Sequence, residues 1–176
     1  MNEISIQNML DEMAIRELLT RYSRAIDRCD IDLLKSTYWP DATDDHGVVF
    51  IGSAMEFSDF VIPMLKERLE CTMHMIGNMW LKLDGDKANC ETYSYTYHRL
   101  KSTDAKIEVT IGGRYLDRIE RRNGEWRIAM RKFVMDWEQN GAAIFGGEDN
   151  VQKLLSVDTR HRGDDSYSLF AGKEIT

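Results

Sequence analysis

The run Cys71-Thr72-Met73-His74-Met75-Ile76-Gly77-Asn78-Met79-Trp80 passes through Leu81-Lys82 into Leu83-Asp84-Gly85-Asp86, and residues 88–100 return from it. Both runs have strand character, and Asp84-Gly85-Asp86 between them is a hairpin signal. The pattern repeats downstream. Residues 107–121 and 125–138 flank Asn123-Gly124. Asn followed by Gly suits a type I′ turn, which needs positive φ at both central residues. Strands of about 12 residues exceed the common length and need curvature or bulges to stay within one small domain. The second half of the chain therefore reads as a four-stranded antiparallel meander.

Upstream of the hairpin the period changes. Leu10, Ala14, Ile15, Leu18, Leu19, Tyr22, Ala25 and Ile26 keep a helical spacing over about residues 6–26, with Ser5 or Asn8 as a cap. A short helix follows over about 31–38, opened by Asp30 and stopped near Trp39-Pro40. Residues 41–52 read as an irregular strand or hairpin. A third helix spans about 55–69, with Ser53 as its cap and Pro63 as an irregularity. Helices first and a bent sheet second give an α+β class, with the helices covering one face of the sheet. The chain becomes glycine-rich and polar after Gln139-Asn140-Gly141. The expected division is a domain over 1–140 and a tail over 141–176 that packs on its own domain or a neighbouring subunit through Tyr167 and Phe170.

A chain of 176 residues suits one domain with one substantial core. A net charge of −7 disfavours nucleic acid or an anionic membrane as the main partner. The sequence holds no run of about 18 apolar residues. Cys29, Cys71 and Cys90 are odd in number and lack CxxC spacing, which argues against a disulfide framework or a thiolate metal site. A reduced, cytoplasmic setting follows. Ten methionines suit an adaptable apolar cavity, or serve as plain core filler.

His74 is the most informative titratable group. An imidazole in an apolar strand is either a satisfied core residue or a base. Its surroundings depend on register. If Leu83 pairs with Lys87, His74 faces Thr96 and shares a face with the diagonal His98, beside small polar residues Cys90, Thr92, Ser94 and Thr96. If Leu83 pairs with Asp86, the register slips by one and His74 joins Tyr93, Tyr95 and Tyr97. Asp27 is the natural carboxylate partner, because a carboxylate fixes a histidine's tautomer and stabilises its cation. Helical phase opposes this: Asp27 lies about 140° from the face of Leu18, Tyr22 and Ile26, which predicts an exposed residue at a helix end. Asp44-Asp45-His46 before a glycine reads as a solvated turn rather than a metal site. No phosphate loop, GxSxG elbow or HExxH motif is present.

Several strings in order resemble the SnoaL-like branch of the nuclear transport factor 2-like superfamily. They are Ile15-Arg16-Glu17-Leu18-Leu19 with Tyr22 and Asp27, then Tyr38, Asp41-Ala42 and Asp45-His46-Gly47, then His74 with Asn78. Gly112-Gly113-Arg114-Tyr115 with Asp117, Glu120, Gly124 and Trp126 follow, and then Arg162-Gly163-Asp164-Asp165-Ser166-Tyr167. The resemblance implies a cone-shaped α+β barrel around an apolar pocket. Within the superfamily, scytalone dehydratase, hexachlorocyclohexane dehydrochlorinase and bile-acid 7α-dehydratase look most similar. It implies Asp27 and His74 as a dyad that removes a proton from carbon while a leaving group departs. Tyr22 and His98 are implied as further catalytic positions, and Tyr38, Asn78, Tyr115 and Met135 as substrate-binding ones. The substrate-contacting shell departs from those enzymes at Gly113, Tyr115 and Met135. The expected function is a lyase, dehydratase or isomerase that needs no cofactor or metal. It would act on a small hydrophobic molecule, cyclic ones included, in a homo-oligomeric dimer or trimer. The rival expectation is a non-catalytic ligand-binding module or the small subunit of a ring-hydroxylating dioxygenase.

Overall fold

The computed structural model of the protein describes residues 6–101 and 107–142. The elements are α1 (Ile6–Asp27), α2 (Ile31–Ser36), β1 (Tyr38–Asp45), β2 (Ile51–Ser53) and α3 (Ala54–Arg68), followed by β3 (Leu69–Asp84), β4 (Lys87–Leu100), β5 (Ile107–Arg122) and β6 (Glu125–Ala142). The six strands form one curved sheet in the order β2-β1-β6-β5-β4-β3. β3 to β6 are the expected meander. β1 adds to β6 in parallel, with Thr43 opposite Met130 and Asp44 opposite Arg131. Periodicity carries no signal for that pairing, whose partners are far apart in sequence. The sheet stays open between β2 and β3, and the helices cover its inner face, an α+β cone.

Local chemistry explains the joints. Asn123 and Gly124 both have positive φ, 53° and 83°, as the I′ turn requires. Asp30 caps α2 by accepting from Leu33 N–H at 3.1 Å, and Ser53 caps α3 by accepting from Glu56 N–H at 3.2 Å. Asp11, buried within α1, accepts from the Trp126 indole at 3.0 Å and from Arg121 at 2.7 Å, which fastens α1 to the sheet. Ile15, Leu18, Leu19, Phe57, Ile62, Ile119 and Ile128 fill the core between the layers.

The β3–β4 register matches neither alternative at its turn. Asp84 pairs with Lys87 and Leu83 with Ala88. Between Ile76 and Met79 the register shifts, where Gly77 and Asn78 together oppose the single residue Tyr93. This bulge switches the inward set of β3 from Thr72, His74 and Ile76 to Met79, Leu81 and Leu83. Beyond it His74 faces Thr96 and Thr72 faces His98, the pairing of the first alternative.

β6 runs two residues past the expected boundary at 140. The expected tail, from residue 143 on and including Tyr167 and Phe170, lies outside the described residues. Among the described residues no helix is long and apolar enough to cross a membrane.

Candidate active site

The inner face of the sheet, the end of α1, α3 and the 46–49 loop enclose a cavity of about 480 Å³. That is the size of a small-molecule site. Its apolar lining includes Ile26, Phe57, Val61, Leu65, Ile111 and Phe133.

One wall is built from the end of α1. The helix stops when Cys29 enters the left-handed region at φ 51°, with Cys29 N–H bonded to Ile26 C=O and Asp30 N–H to Ala25 C=O. This is a Schellman cap with cysteine where glycine is usual. The reversal lays α2 against α1 while β3 covers the other side, so Ser23, Ala25, Ile26 and Asp27 are all buried. The expectation of an exposed Asp27 is therefore corrected: helical phase assumes one buried face, and the last turn has more than one. Asp27 is 9% exposed. Its carboxylate accepts the backbone N–H of His74 at 2.9 Å and meets His74 Nδ1 at 2.7 Å. An ionised carboxylate only accepts, so the Nδ1 contact is a donated N–H and Nε2 is the nitrogen left for the cavity. The His74 ring lines the cavity.

The opposite wall is built from the end of β1. Asp44 is 1% exposed, and Asp44 Oδ1 pairs with His46 Nδ1. Tyr38 Oη donates to Asp44 Oδ2 at 2.6 Å. The His46 ring stacks against both Phe57 and Phe133, with ring centroids 4.6 and 5.6 Å away and interplanar angles of 12° and 15°. It too lines the cavity. The solvated-turn reading of Asp44-Asp45-His46 is corrected here. Only Asp45 turns outward, accepting from Lys132 at 2.9 Å and Gly47 N–H at 2.9 Å. The alternation of a β-strand separates the two neighbouring aspartates.

Beneath the cavity a cation is buried. Arg131, 1% exposed, makes two 2.7 Å bonds to Asp117, its cross-strand neighbour. Its guanidinium carbon lies 3.8 Å from the centroid of Tyr22 and 4.1 Å from that of Tyr115. Burial pushes the phenols of Tyr22 and Tyr38 well above their ordinary pKa and that of Tyr115 up to about 12. All three stay neutral near neutral pH. Sequence reading met Asp117 only within the family string and overlooked Arg131; an arginine in mid-strand opposite an aspartate was the available signal.

The remaining expected positions divide. Tyr22, Tyr115, His98 and Met135 line the cavity with His74. His98 sits with its ring centroid 5.6 Å from that of His74, and its Nδ1 is 2.7 Å from Thr72 Oγ1. Met135 is 55% exposed, so it stands at the mouth. Tyr38 lies behind Asp44 and does not reach the cavity lining. Asn78 is exposed at the β3 bulge, away from the cavity, because the bulge ends the inward set that His74 belongs to. Among the described residues, no three of His, Cys, Asp and Glu are grouped to hold a metal ion.

This architecture recurs in solved structures. Hexachlorocyclohexane dehydrochlorinase LinA-type3 of Novosphingobium barchaimii superposes with a TM-score of 0.69 at 20% identity, over 80% of this chain and 97% of that one. A protein of Novosphingobium aromaticivorans, provisionally named a scytalone dehydratase, superposes with a TM-score of 0.68 at 16% identity, over 75% and 88%. At such identities the likeness is one of fold. In sequence, the uncharacterized protein Rv2910c of Mycobacterium tuberculosis is 28% identical over 135 residues, 73% of this chain and 87% of the relative. The SnoaL-like domain model matches residues 7–132, and the chain belongs to that family.

Proposed function

We propose that the protein is a lyase or isomerase acting on a small hydrophobic molecule, with His74 as general base. The observation that carries this is the Asp27–His74 contact inside an apolar cavity. Asp27 fixes the tautomer, and Nε2 is left to accept a proton from substrate carbon. In an elimination the C–H electron pair becomes the new C=C bond, and the bond to a hydroxyl or halide on the adjacent carbon breaks. Asp27 stabilises the imidazolium that forms. A positioned base supplies about 10²–10⁴-fold. Superposition on a dehydrochlorinase and on a provisionally named dehydratase supports the reaction class. Tyr22 and His98 are proposed as hydrogen-bond donors at the reacting end, and Tyr115 and Met135 as substrate contacts. No step in this scheme calls for a cofactor or a metal.

The test is a screen of small cyclic alcohols, ketones and halides, with product formation followed in the wild type and in His74→Ala. Turnover that disappears in a folded His74→Ala protein supports the reading; unchanged turnover overturns it. The rival binding-module reading expected Asp27 in solvent and His74 among apolar groups alone. Neither arrangement is present here.

A homo-oligomer is proposed from the outer sheet face. Met73, Met75, Tyr93, Tyr95 and Trp137 are each about half exposed there. Trp137 lies over Gly112, where an added Cβ would come within 2.2 Å of the indole, and packs edge-on against Tyr95. An apolar area of this kind on a sheet marks an association surface. Sedimentation of the native chain and of Trp137→Glu checks it: an oligomer that the charge dissociates is expected, and a monomeric native chain would overturn it.

A further inference from the structure

The site holds a second carboxylate–imidazole pair that the His74 scheme leaves without a task. We infer that His46 is the proton donor of the same reaction, delivering a proton from Nε2 to the oxygen of the substrate that departs or becomes an enol. This inference rests on the lyase or isomerase reading and assigns the other half of its proton transfer.

The geometry is that of a built group. Asp44 is fully buried, and each of its two oxygens has one partner, His46 Nδ1 on one and the Tyr38 hydroxyl on the other. An ionised carboxylate in that position only accepts, so Nδ1 carries a proton and Nε2 is the nitrogen left for the cavity. Burying a carboxylate and a phenol behind an imidazole is costly unless the pair is fully bonded. A solvated turn needs no such backing. Phe57 and Phe133 both stack against the ring, which fixes its plane. Phe133 can reach that position because residue 113 is glycine: a Cβ there would lie 2.7 Å from the phenylalanine ring.

His74 meets the His98 ring edge-on, at 5.6 Å between centroids, and receives its carboxylate from a different element. The two imidazoles therefore divide the chemistry. His74 Nε2 takes the proton from carbon, and the electron pair forms the double bond. His46 passes its Nε2 proton to the hydroxyl oxygen, which leaves as water. His74 ends protonated and His46 neutral, and solvent returns one proton from the first to the second. In an isomerisation the same proton goes to a carbonyl oxygen and yields an enol. Tyr22 is the weaker alternative, because burial holds its phenol well above the ordinary range. The substrate class narrows accordingly to molecules with an oxygen substituent beside the acidic carbon, rather than halides, whose leaving group needs no proton.

The test uses 4-nitrophenol as a flat ring with one acidic oxygen, and needs no turnover. Histidine ring ¹⁵N signals of the full-length protein are followed as the probe is added, and affinity is read from the phenolate absorbance. The expected result is saturable binding in which His46 Nε2 sits at its protonated value and its signal moves as the probe is added. His46→Phe, which keeps the aromatic stack, should weaken binding about tenfold or more, the loss of one charge-assisted hydrogen bond. If His46→Phe does not fold, His46→Gln serves in its place. Absence of saturable binding, a response at His74 with none at His46, or affinity in the variant within twofold of the native chain would each overturn the proposal. Failure of the base reading is seen elsewhere, as turnover retained in His74→Ala.

Discussion

The two walls of the cavity hold an imidazole against a carboxylate by opposite means. At Asp27–His74 the partners lie 47 residues apart, and the carboxylate grips both the backbone N–H and the ring of the same residue. At Asp44–His46 they are two residues apart on one strand end, and two phenylalanine faces hold the ring. The first pair depends on how a helix ends and docks; the second depends on packing from α3 and β6. Loosening the helix end should therefore disturb the base without disturbing its counterpart, and the reverse holds for the aromatic stack.

Substitutions can separate the two. The largest effect is expected for His74→Ala: turnover should fall by about 10²–10⁴-fold with an unchanged far-UV spectrum. Arg131→Met removes the cation shared beneath both walls and strands Asp117 in the core. It should cost about 3–5 kcal/mol in denaturant unfolding, and Arg131→Met with Asp117→Leu should recover much of it. Asp27→Asn keeps the shape but loses the ionised acceptor. It should cost about 1.5–3 kcal/mol and impair turnover more than Tyr38→Phe does. Tyr38→Phe leaves Asp44 with His46 alone and should cost about 1 kcal/mol, read as a small shift in midpoint.

The buried phenols add a pH dependence. Below their ordinary pKa of about 10, Tyr22, Tyr38 and Tyr115 are protonated in both folded and unfolded chains, and pH has no leverage through them. Above it the unfolded chain ionises first, while burial keeps the folded phenols neutral, Tyr115 up to about 12. Stability should fall as pH rises from about 10 toward 12. A melting temperature that is flat over that range would contradict the burial of these groups.

The strand hairpins, the helices and their caps were legible because each is written locally: Asn123-Gly124, Asp30, Ser53 and a helical period over α1. The resemblance to the SnoaL-like branch supplied the Asp27–His74 pairing, while helical phase alone pointed Asp27 outward. Phase failed because burial at the end of α1 comes from α2 and β3 together, which no window along α1 contains. The same blindness hid His46. Asp44-Asp45-His46 looks solvated as a string, but strand alternation sends Asp44 inward, and the rings that enclose His46 come from residues 57 and 133. The turn register between β3 and β4 was also out of reach, since a bulge at Gly77-Asn78 corrects an offset at Gly85. Asn78 leaves the site for that reason.

Base catalysis here requires His74 to present an unprotonated Nε2 to the cavity while Asp27 holds the proton at Nδ1. Long-range ¹H–¹⁵N correlation spectra of the histidine rings read this directly. The expected pattern is a protonated Nδ1 and a lone-pair Nε2 at His74, with the Nδ1 signal losing that state in Asp27→Asn. A protonated Nε2 with a bare Nδ1 in the native chain would contradict it.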